Sequence, residues 1–210
     1  MVAGAIAAAL VARGERVAAY KPVVTGTDEP ANPDWPPDHE LLAGVTGQPP
    51  DAVAPHRFGP AVSPHLAAEL AAAVIDPAEL VSAARSAGER ADALVAEGVG
   101  GLLVPLTPGY LVRDLARELG LPVVVAARAG LGTINHTLLT LEAARAVGLR
   151  VAAVVLTPWP AAPGEIERSN RATIAVLGAT DVATLPALAD AAPDGLAAAG
   201  ARLPLDAWLE

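Results

Sequence analysis

Lys21 is the only lysine among fourteen cationic residues, the other thirteen being arginine. Lysine is mostly a surface residue, so its plainest reading is a solvated side chain. Its setting points elsewhere. It follows the short apolar run Arg16 to Tyr20, where a compact ammonium could neutralise a transferring phosphate or a carboxylate-like intermediate. Glu97 also ends an apolar run and enters the turn Gly98-Val99-Gly100-Gly101, which would set a carboxylate beside exposed backbone amides. Such a carboxylate either holds a magnesium ion or caps the turn. Asp38 is the second candidate, since magnesium commonly takes one or two protein carboxylates with phosphate oxygens and water; by itself it reads as a helix N-cap. In Gly130-Leu131-Gly132-Thr133-Ile134-Asn135-His136 two glycines precede a helix start. Free amides there could bind an anion such as a substrate carboxylate, or the segment is a plain strand-to-helix turn. His136 reads as a structural histidine, and Trp159 and Trp208 as packing residues.

These groups act together only if the fold gathers them. Ala3 to Arg13 is expected as a helix closed by Gly14, followed by the strand Arg16 to Tyr20 and a loop over Thr25 to Pro37. A short helix is expected over Asp38 to Ala43. Ser63-Pro64 and the capping box Asp76-Pro77-x-Glu79 mark two further helix starts, with ends near Ala73 and Arg90. Thereafter apolar runs at Ala93–Ala96, Pro122–Ala127, Val151–Leu156 and Asp181–Leu185 alternate with helices over Tyr110–Leu119, Ile134–Val147 and Gly164–Leu177. The alternation predicts an α/β fold, a mostly parallel sheet with helices on both faces. Ligands of such sheets bind beyond the carboxyl ends of the strands. The residues that follow the strands are Lys21, Thr25 and Asp38, then Glu97 to Gly101, Gly130 to His136, Thr157-Pro158, and Pro186-Ala187-Leu188.

A chain of 210 residues suits one domain, residues 1–210. The net charge of −9 and an aromatic content of 3 % supply neither a basic footprint nor stacking platforms, which argues against nucleic-acid binding. Cysteine is absent and the four histidines are scattered, so disulfides and thiolate zinc sites are excluded and a reducing cytoplasm is expected. Val2 to Ala12 is too short to span a bilayer and lacks a basic segment before it, so it is expected as a helix rather than an export signal or membrane anchor.

Taken in order, Tyr20-Lys21-Pro22-Val23-Val24-Thr25-Gly26, Ser63-Pro64-His65, Ala96-Glu97-Gly98-Val99-Gly100-Gly101 and Gly130 to His136 resemble the landmarks of dethiobiotin synthases. The resemblance covers nearly the whole chain. It implies a P-loop NTPase-like fold and a homodimeric ligase of biotin synthesis that converts 7,8-diaminononanoate, CO2 and MgATP to dethiobiotin, ADP and phosphate through a carbamate and its phosphoric anhydride. By motif, Lys21 matches the family's catalytic lysine and Thr25 its substrate-contacting hydroxyl. Asp38 and Glu97 match the magnesium carboxylates, with Glu97, Gly98, Val99 and Gly100 beside ATP. Gly132, Thr133 and Asn135 match the loop that reaches the substrate carboxylate across the dimer interface, and Thr157, Pro158, Pro186, Ala187 and Leu188 the nucleotide-base contacts.

Two departures accompany the likeness. The family pattern opens with a strand and a Gly-x-x-x-x-Gly-Lys-Thr loop for the phosphates, and the 210 residues contain no such segment. An upstream start, restoring roughly twenty residues, is the expected explanation. At Thr157 the family commonly has an asparagine that reads adenine. The alternative is a non-catalytic remnant or partner subunit; a third reading, a related P-loop family such as the glutamine-dependent cobyric acid synthases, is disfavoured by the small size of the chain.

Overall fold

In the computed structural model, residues 1–30, 32 and 35–209 are described. The chain runs α1 (Val2–Ala12), β1 (Val17–Tyr20), β2 (Val23–Thr25), α2 (Asp38–Thr46), α3 (Pro50–Val53), β3 (His56–Phe58), α4 (Pro64–Leu70) and α5 (Pro77–Gly88). It continues through β4 (Ala93–Ala96), β5 (Pro105–Thr107), β6 (Tyr110–Leu111), α6 (Val112–Leu119), β7 (Val123–Ala127) and α7 (Thr133–Arg145). The last elements are β8 (Val151–Trp159), α8 (Glu165–Gly178), β9 (Val182–Pro186), α9 (Pro193–Gly200) and α10 (Leu205–Leu209). No described helix is long and apolar enough to cross a membrane.

Pairing is parallel everywhere except in the β5–β6 hairpin, as expected for an α/β chain. β1 pairs with β4, β2 with β3, and β7, β8 and β9 form a three-stranded sheet. The alternation led us to expect one continuous sheet. Instead, among the described residues no strand pairing joins β1–β4 to β7–β8–β9. The two are linked through helix packing: Val17, Ala93 and Val95 share a core cluster with Val124, Ala153, Val155 and Leu185, all against α1 and α9. The neighbours Val154 and Leu156 pack into a different cluster, with Leu141 of α7 and Ile174 of α8. Period-two alternation along β8 therefore places helices on both faces of this sheet.

α1 is apolar on nearly every side and is buried at Val2, Gly4, Ala5, Ala7, Ala8, Ala9 and Leu10. Small side chains make that possible. A Cβ on Gly200 would lie 1.9 Å from the carbonyl oxygen of Ala5, so α9 crosses α1 almost backbone to backbone. At the start of β1, the backbone N and guanidinium of Arg16 grip Asp92, with N–O distances of 2.9, 3.2 and 2.6 Å, and set the register with β4. Arg16 holds the exposed Asp92 carboxyl down at about 2.

The structure also differs from the expected elements. The region read as a loop from Thr25 includes Ala31, Pro33 and Asp34, which lie outside the described residues. α2 extends to Thr46, and its N-cap is Pro37, which makes Asp38 its first residue rather than its cap. Ser63 occupies the N-cap of α4 but makes no side-chain capping bond, because proline at the next position already sets the turn. Asp76 caps α5 by accepting from Ala78 N at 2.8 Å, without the reciprocal Glu79 bond of a full capping box. α4 ends at Leu70, and β2, β3, β5, β6, α3, α9 and α10 are additional to the expected set.

Gly200→Ala should destabilise the fold by about 1–3 kcal/mol, because its methyl meets backbone that cannot move aside. In the same helix a Cβ on Gly195 meets nothing within 4 Å. Gly195→Ala should leave stability unchanged or raise it by about 0.5–1 kcal/mol. Urea denaturation of both variants checks this, and equal midpoints would contradict the close crossing.

Candidate active site

The β1–β4 register sets Tyr20 opposite Ala96, and Glu97 N donates to Tyr20 O at 2.8 Å. The next residues on the two strands, Lys21 and Glu97, therefore leave the sheet side by side. Lys21 Nζ donates to Glu97 Oε1 at 2.6 Å and to the Gly98 carbonyl at 3.3 Å. It also lies 2.7 Å from Asp38 Oδ2, at the first residue of α2. The Lys21 side chain is 6 % exposed, Glu97 24 % and Asp38 49 %, so the cluster opens to solvent on the Asp38 side.

Local structure holds each member in place. Among the described residues no strand pairs with the outer edge of β1 at Ala19, and the Gln48 amide takes that place: Ala19 N donates to Gln48 Oε1 at 2.6 Å and Gln48 Nε2 donates to Ala19 O at 3.3 Å. Lys21 N continues that edge by donating to Val53 O at 2.9 Å. After Glu97 the chain must turn sharply against α6. Gly98 has no room for a Cβ, which would lie 2.8 Å from Val112 Cγ1, and Gly100 adopts φ +64°.

Burial alone would discharge the Lys21 ammonium, but Glu97 and Asp38 outweigh it and raise its pKa above the ordinary value. The carboxyls divide. For Asp38, burial is outweighed by the Lys21 charge and the pKa falls. For Glu97, burial, with the negative charge of Asp38 added, outweighs Lys21 and the pKa rises. A charged lysine thus faces two unequal acids, with free lone pairs on the open side. Two carboxylates and no soft ligand suit a magnesium ion that takes its remaining oxygens from phosphate and water. No group of three or more acidic or histidine residues able to hold a metal occurs among the described residues.

The other expected residues lie around this cluster or apart from it. Thr25 is half-buried at the end of β2, opposite Phe58. Val99 is buried, whereas Gly98 and Gly100 are exposed. Thr157 reaches the amino end of α1, its hydroxyl 4.0 Å from Met1 Sδ, and Pro158 is exposed. Pro186 closes β9 opposite Trp159; Ala187 is exposed and Leu188 packs against the α1 core. Gly132, with φ +88°, is the N-cap of α7. Thr133 is buried with its hydroxyl 3.3 Å from that of Thr137, while Asn135 is exposed. No hydrogen bond or ion pair among the described residues links the 130–136 loop to Lys21. His136, read as structural, is exposed at the outer side of the first turn of α7.

Sequence reasoning missed three residues that shape the site. Gln48 is one, and nothing in its sequence context marks an amide that imitates a strand. Asn170 of α8 is another, buried and donating to the Ala129 and Gly130 carbonyls at 2.9 and 3.1 Å, which fixes the base of the loop. His39 adjoins Asp38 and is buried with Nδ1 unpartnered; burial pulls its pKa down, against Glu40. Its adjacency to Asp38 was the one available signal.

Glu97→Gln should keep the fold and melt above the unsubstituted protein at about pH 8. The raised pKa of Glu97 means that its ionised form is disfavoured by folding; the penalty is full above the folded pKa and vanishes below the unfolded value near 4.5. The melting advantage should therefore shrink as pH falls towards 4.5. A pH-independent difference in thermal melts would contradict this assignment.

A family model described as "AAA domain" matches residues 2–194. An ATP-dependent dethiobiotin synthetase of Anaeromyxobacter dehalogenans (strain 2CP-1 / ATCC BAA-258) is 45 % identical over 74 % of this chain and 69 % of its own length. That of Rhodococcus jostii (strain RHA1) is 39 % identical over 89 % of this chain and 80 % of its own, and that of Haloferax mediterranei 36 % over 85 % and 78 %. Likeness of this extent, running through the strands that carry Lys21 and Glu97 and through the glycine loop before α7, assigns the α/β chain to a P-loop NTPase-like family: it belongs to the ATP-dependent dethiobiotin synthetases.

Proposed function

We propose that this chain is an ATP-dependent ligase of biotin synthesis that closes the ureido ring of dethiobiotin from 7,8-diaminononanoate and CO2. The observation that carries the reading is the buried Lys21 ammonium between Asp38 and Glu97, at the carboxyl ends of two parallel strands, in a chain of this family. One substrate amine adds to CO2 and loses a proton to give a carbamate. The carbamate oxygen takes the γ-phosphoryl group and ADP leaves; the second amine then attacks the carbonyl carbon and expels phosphate. Lys21 presents a compact positive charge to the anionic carbamate and the transferring phosphoryl group. Asp38 and Glu97 keep that lysine charged and oriented, and their free oxygens would hold Mg2+, which supplies charge neutralisation at the phosphates.

Thr25 and the Gly132, Thr133 and Asn135 segment are assigned to the substrate, and Gly98, Val99, Gly100, Thr157, Pro158, Pro186, Ala187 and Leu188 to ATP. The loop before α7 supports a homodimer: Leu131 is 96 % exposed at its tip, and exposed Asn135 and Leu139 follow at helical spacing on one side of α7. We take residues 1–210 as one domain acting in the cytoplasm.

Dethiobiotin formation from 7,8-diaminononanoate, bicarbonate and MgATP tests the reading. It should be measured on the 210 residues and on the same chain preceded by a strand and a Gly-x-x-x-x-Gly-Lys-Thr loop. Product should be abundant with the phosphate loop and scant without it; no product from either rejects the proposal. In the active form Lys21→Ala should lower kcat by about 10²–10³-fold. Lys21→Arg should rescue little, because a planar fork does not replace a point charge in a tight site. Unchanged kcat, with only KM raised, would remove Lys21 from the chemical step.

A further inference from the structure

The buried face of α8 carries Asn170, Ile174 and Gly178 at helical spacing. Ile174 packs with Val125 of β7 and Leu141 of α7, and a Cβ on Gly178 would lie 2.7 Å from Leu141 Cδ1, so α8 sits close against α7. Asn170 is the polar member of that face and is 7 % exposed, a placement that costs free energy unless the amide is hydrogen-bonded. Its partners are two successive backbone carbonyls of the loop before α7. Nδ2 donates to Ala129 O at 2.9 Å and to Gly130 O at 3.1 Å. Carbonyls only accept, so it is the NH2 end of the amide, with its two hydrogens, that must face them. Thr133 N donates to the same Gly130 oxygen at 3.3 Å and closes the turn into α7.

Fixing two carbonyls also fixes the amides behind them. Both peptide bonds are trans, and in a trans peptide the N–H points opposite to the C=O. The Ala129 carbonyl shares its peptide with Gly130 N, and the Gly130 carbonyl with Leu131 N. With both oxygens drawn towards α8, both N–H groups face away from it. Gly130 and Leu131 are exposed, and neither amide has an acceptor among the described residues. Successive amides that face one way form a concavity for an anion, and these lie just before the first turn of α7, whose positive dipole end adds to them.

We infer that Asn170 is a positioning residue for the carboxylate end of the substrate: from a neighbouring helix it holds the Gly130 and Leu131 amides in the orientation that a carboxylate needs. It acts through the loop and not by touching the substrate. The inference rests on the assignment of this loop to the 7,8-diaminononanoate carboxylate and adds the buried residue that gives the loop its shape. Leucine at this position keeps the volume and leaves two carbonyls without their donor; aspartate sets acceptor against acceptor.

The test compares 7,8-diaminononanoate with 2,3-diaminooctane, the same diamine without its carboxylate. In amide-resolved NMR titrations of the unsubstituted 210-residue chain, the Gly130 and Leu131 resonances should move with the first compound and stay with the second. Asn170→Leu and Asn170→Asp should raise the Kd of 7,8-diaminononanoate about tenfold, as loss of a charge-assisted hydrogen bond requires. Neither should change that of 2,3-diaminooctane, which cannot make the lost contact. On the chain preceded by the phosphate loop, the same variants should raise KM for 7,8-diaminononanoate and leave kcat and the KM for ATP within about twofold. A merely structural role would weaken both diamines alike. Equal weakening of both, an unchanged Kd for 7,8-diaminononanoate in a folded variant, or stationary Gly130 and Leu131 resonances in the unsubstituted chain would each overturn the role of Asn170. Absence of dethiobiotin from the chain with its phosphate loop, while the titrations behave as expected, would reject the ligase reading and uphold the role of Asn170 in carboxylate binding.

Discussion

A charged ammonium withdrawn from water needs countercharge within a few ångströms, and the organisation of the site follows from meeting that demand at Lys21. Glu97 can meet it because parallel pairing sets Tyr20 beside Ala96, so that the two strands release their next residues at the same edge. Asp38 meets it from a different element, the first turn of α2, where Pro37 holds the N-cap position and the Asp38 carboxylate faces the lysine instead of capping its own helix. Two acids around one base also differ in cost. Glu97, the more buried, has its ionised form disfavoured, while half-exposed Asp38 is stabilised as an anion. Surplus negative charge around one lysine is a cost to stability, and costs of that kind gather at functional sites.

The strands that carry this cluster are short and need support on both sides. On one side the Arg16–Asp92 grip pins the start of the β1–β4 pair, and at the far edge Gln48 and Val53 supply the hydrogen bonds that a neighbouring strand would make. The buried face is covered by α1, whose small residues let α9 approach within backbone contact at Gly200 and Ala5 and whose Gly4 leaves room for the Leu41 side chain of α2. The abundance of alanine and glycine is therefore a packing device: close helix crossings compensate for the scarcity of aromatic bulk.

Edges left open by this architecture acquire distinct uses. The carboxyl edge of β1 and β4 carries the charged cluster, whereas the lateral edge of β9 is protected by an arginine on its carbonyl and by the C-terminal helix, which together leave a cleft. Exposed β edges invite unwanted pairing, and a guanidinium on the edge carbonyl is one way to prevent it.

Much of this was legible in the residues. Apolar runs separated by helix-length segments determined the α/β class, and β4 was expected at the bounds observed, because four apolar residues between a charged helix end and a glycine turn admit few other conformations. The rule that ligands gather beyond strand ends singled out Lys21, Glu97 and Asp38 by number. The short strands β2 and β3 escaped, since three residues carry no periodicity, and so did α9, whose alanine, proline and glycine content resembles a loop, and α10, whose five residues are too few to show a helical period. What tertiary structure alone decided was the company each group keeps: that Asp38 faces Lys21 and does not cap α2, that Thr133 turns its hydroxyl into the helix, that Gln48 completes a strand, and that Trp208 buries an unpaired donor. Periodicity along a chain specifies which face of an element is apolar. Pairings between residues far apart in sequence are set only when the elements pack, because they depend on register and distance in three dimensions.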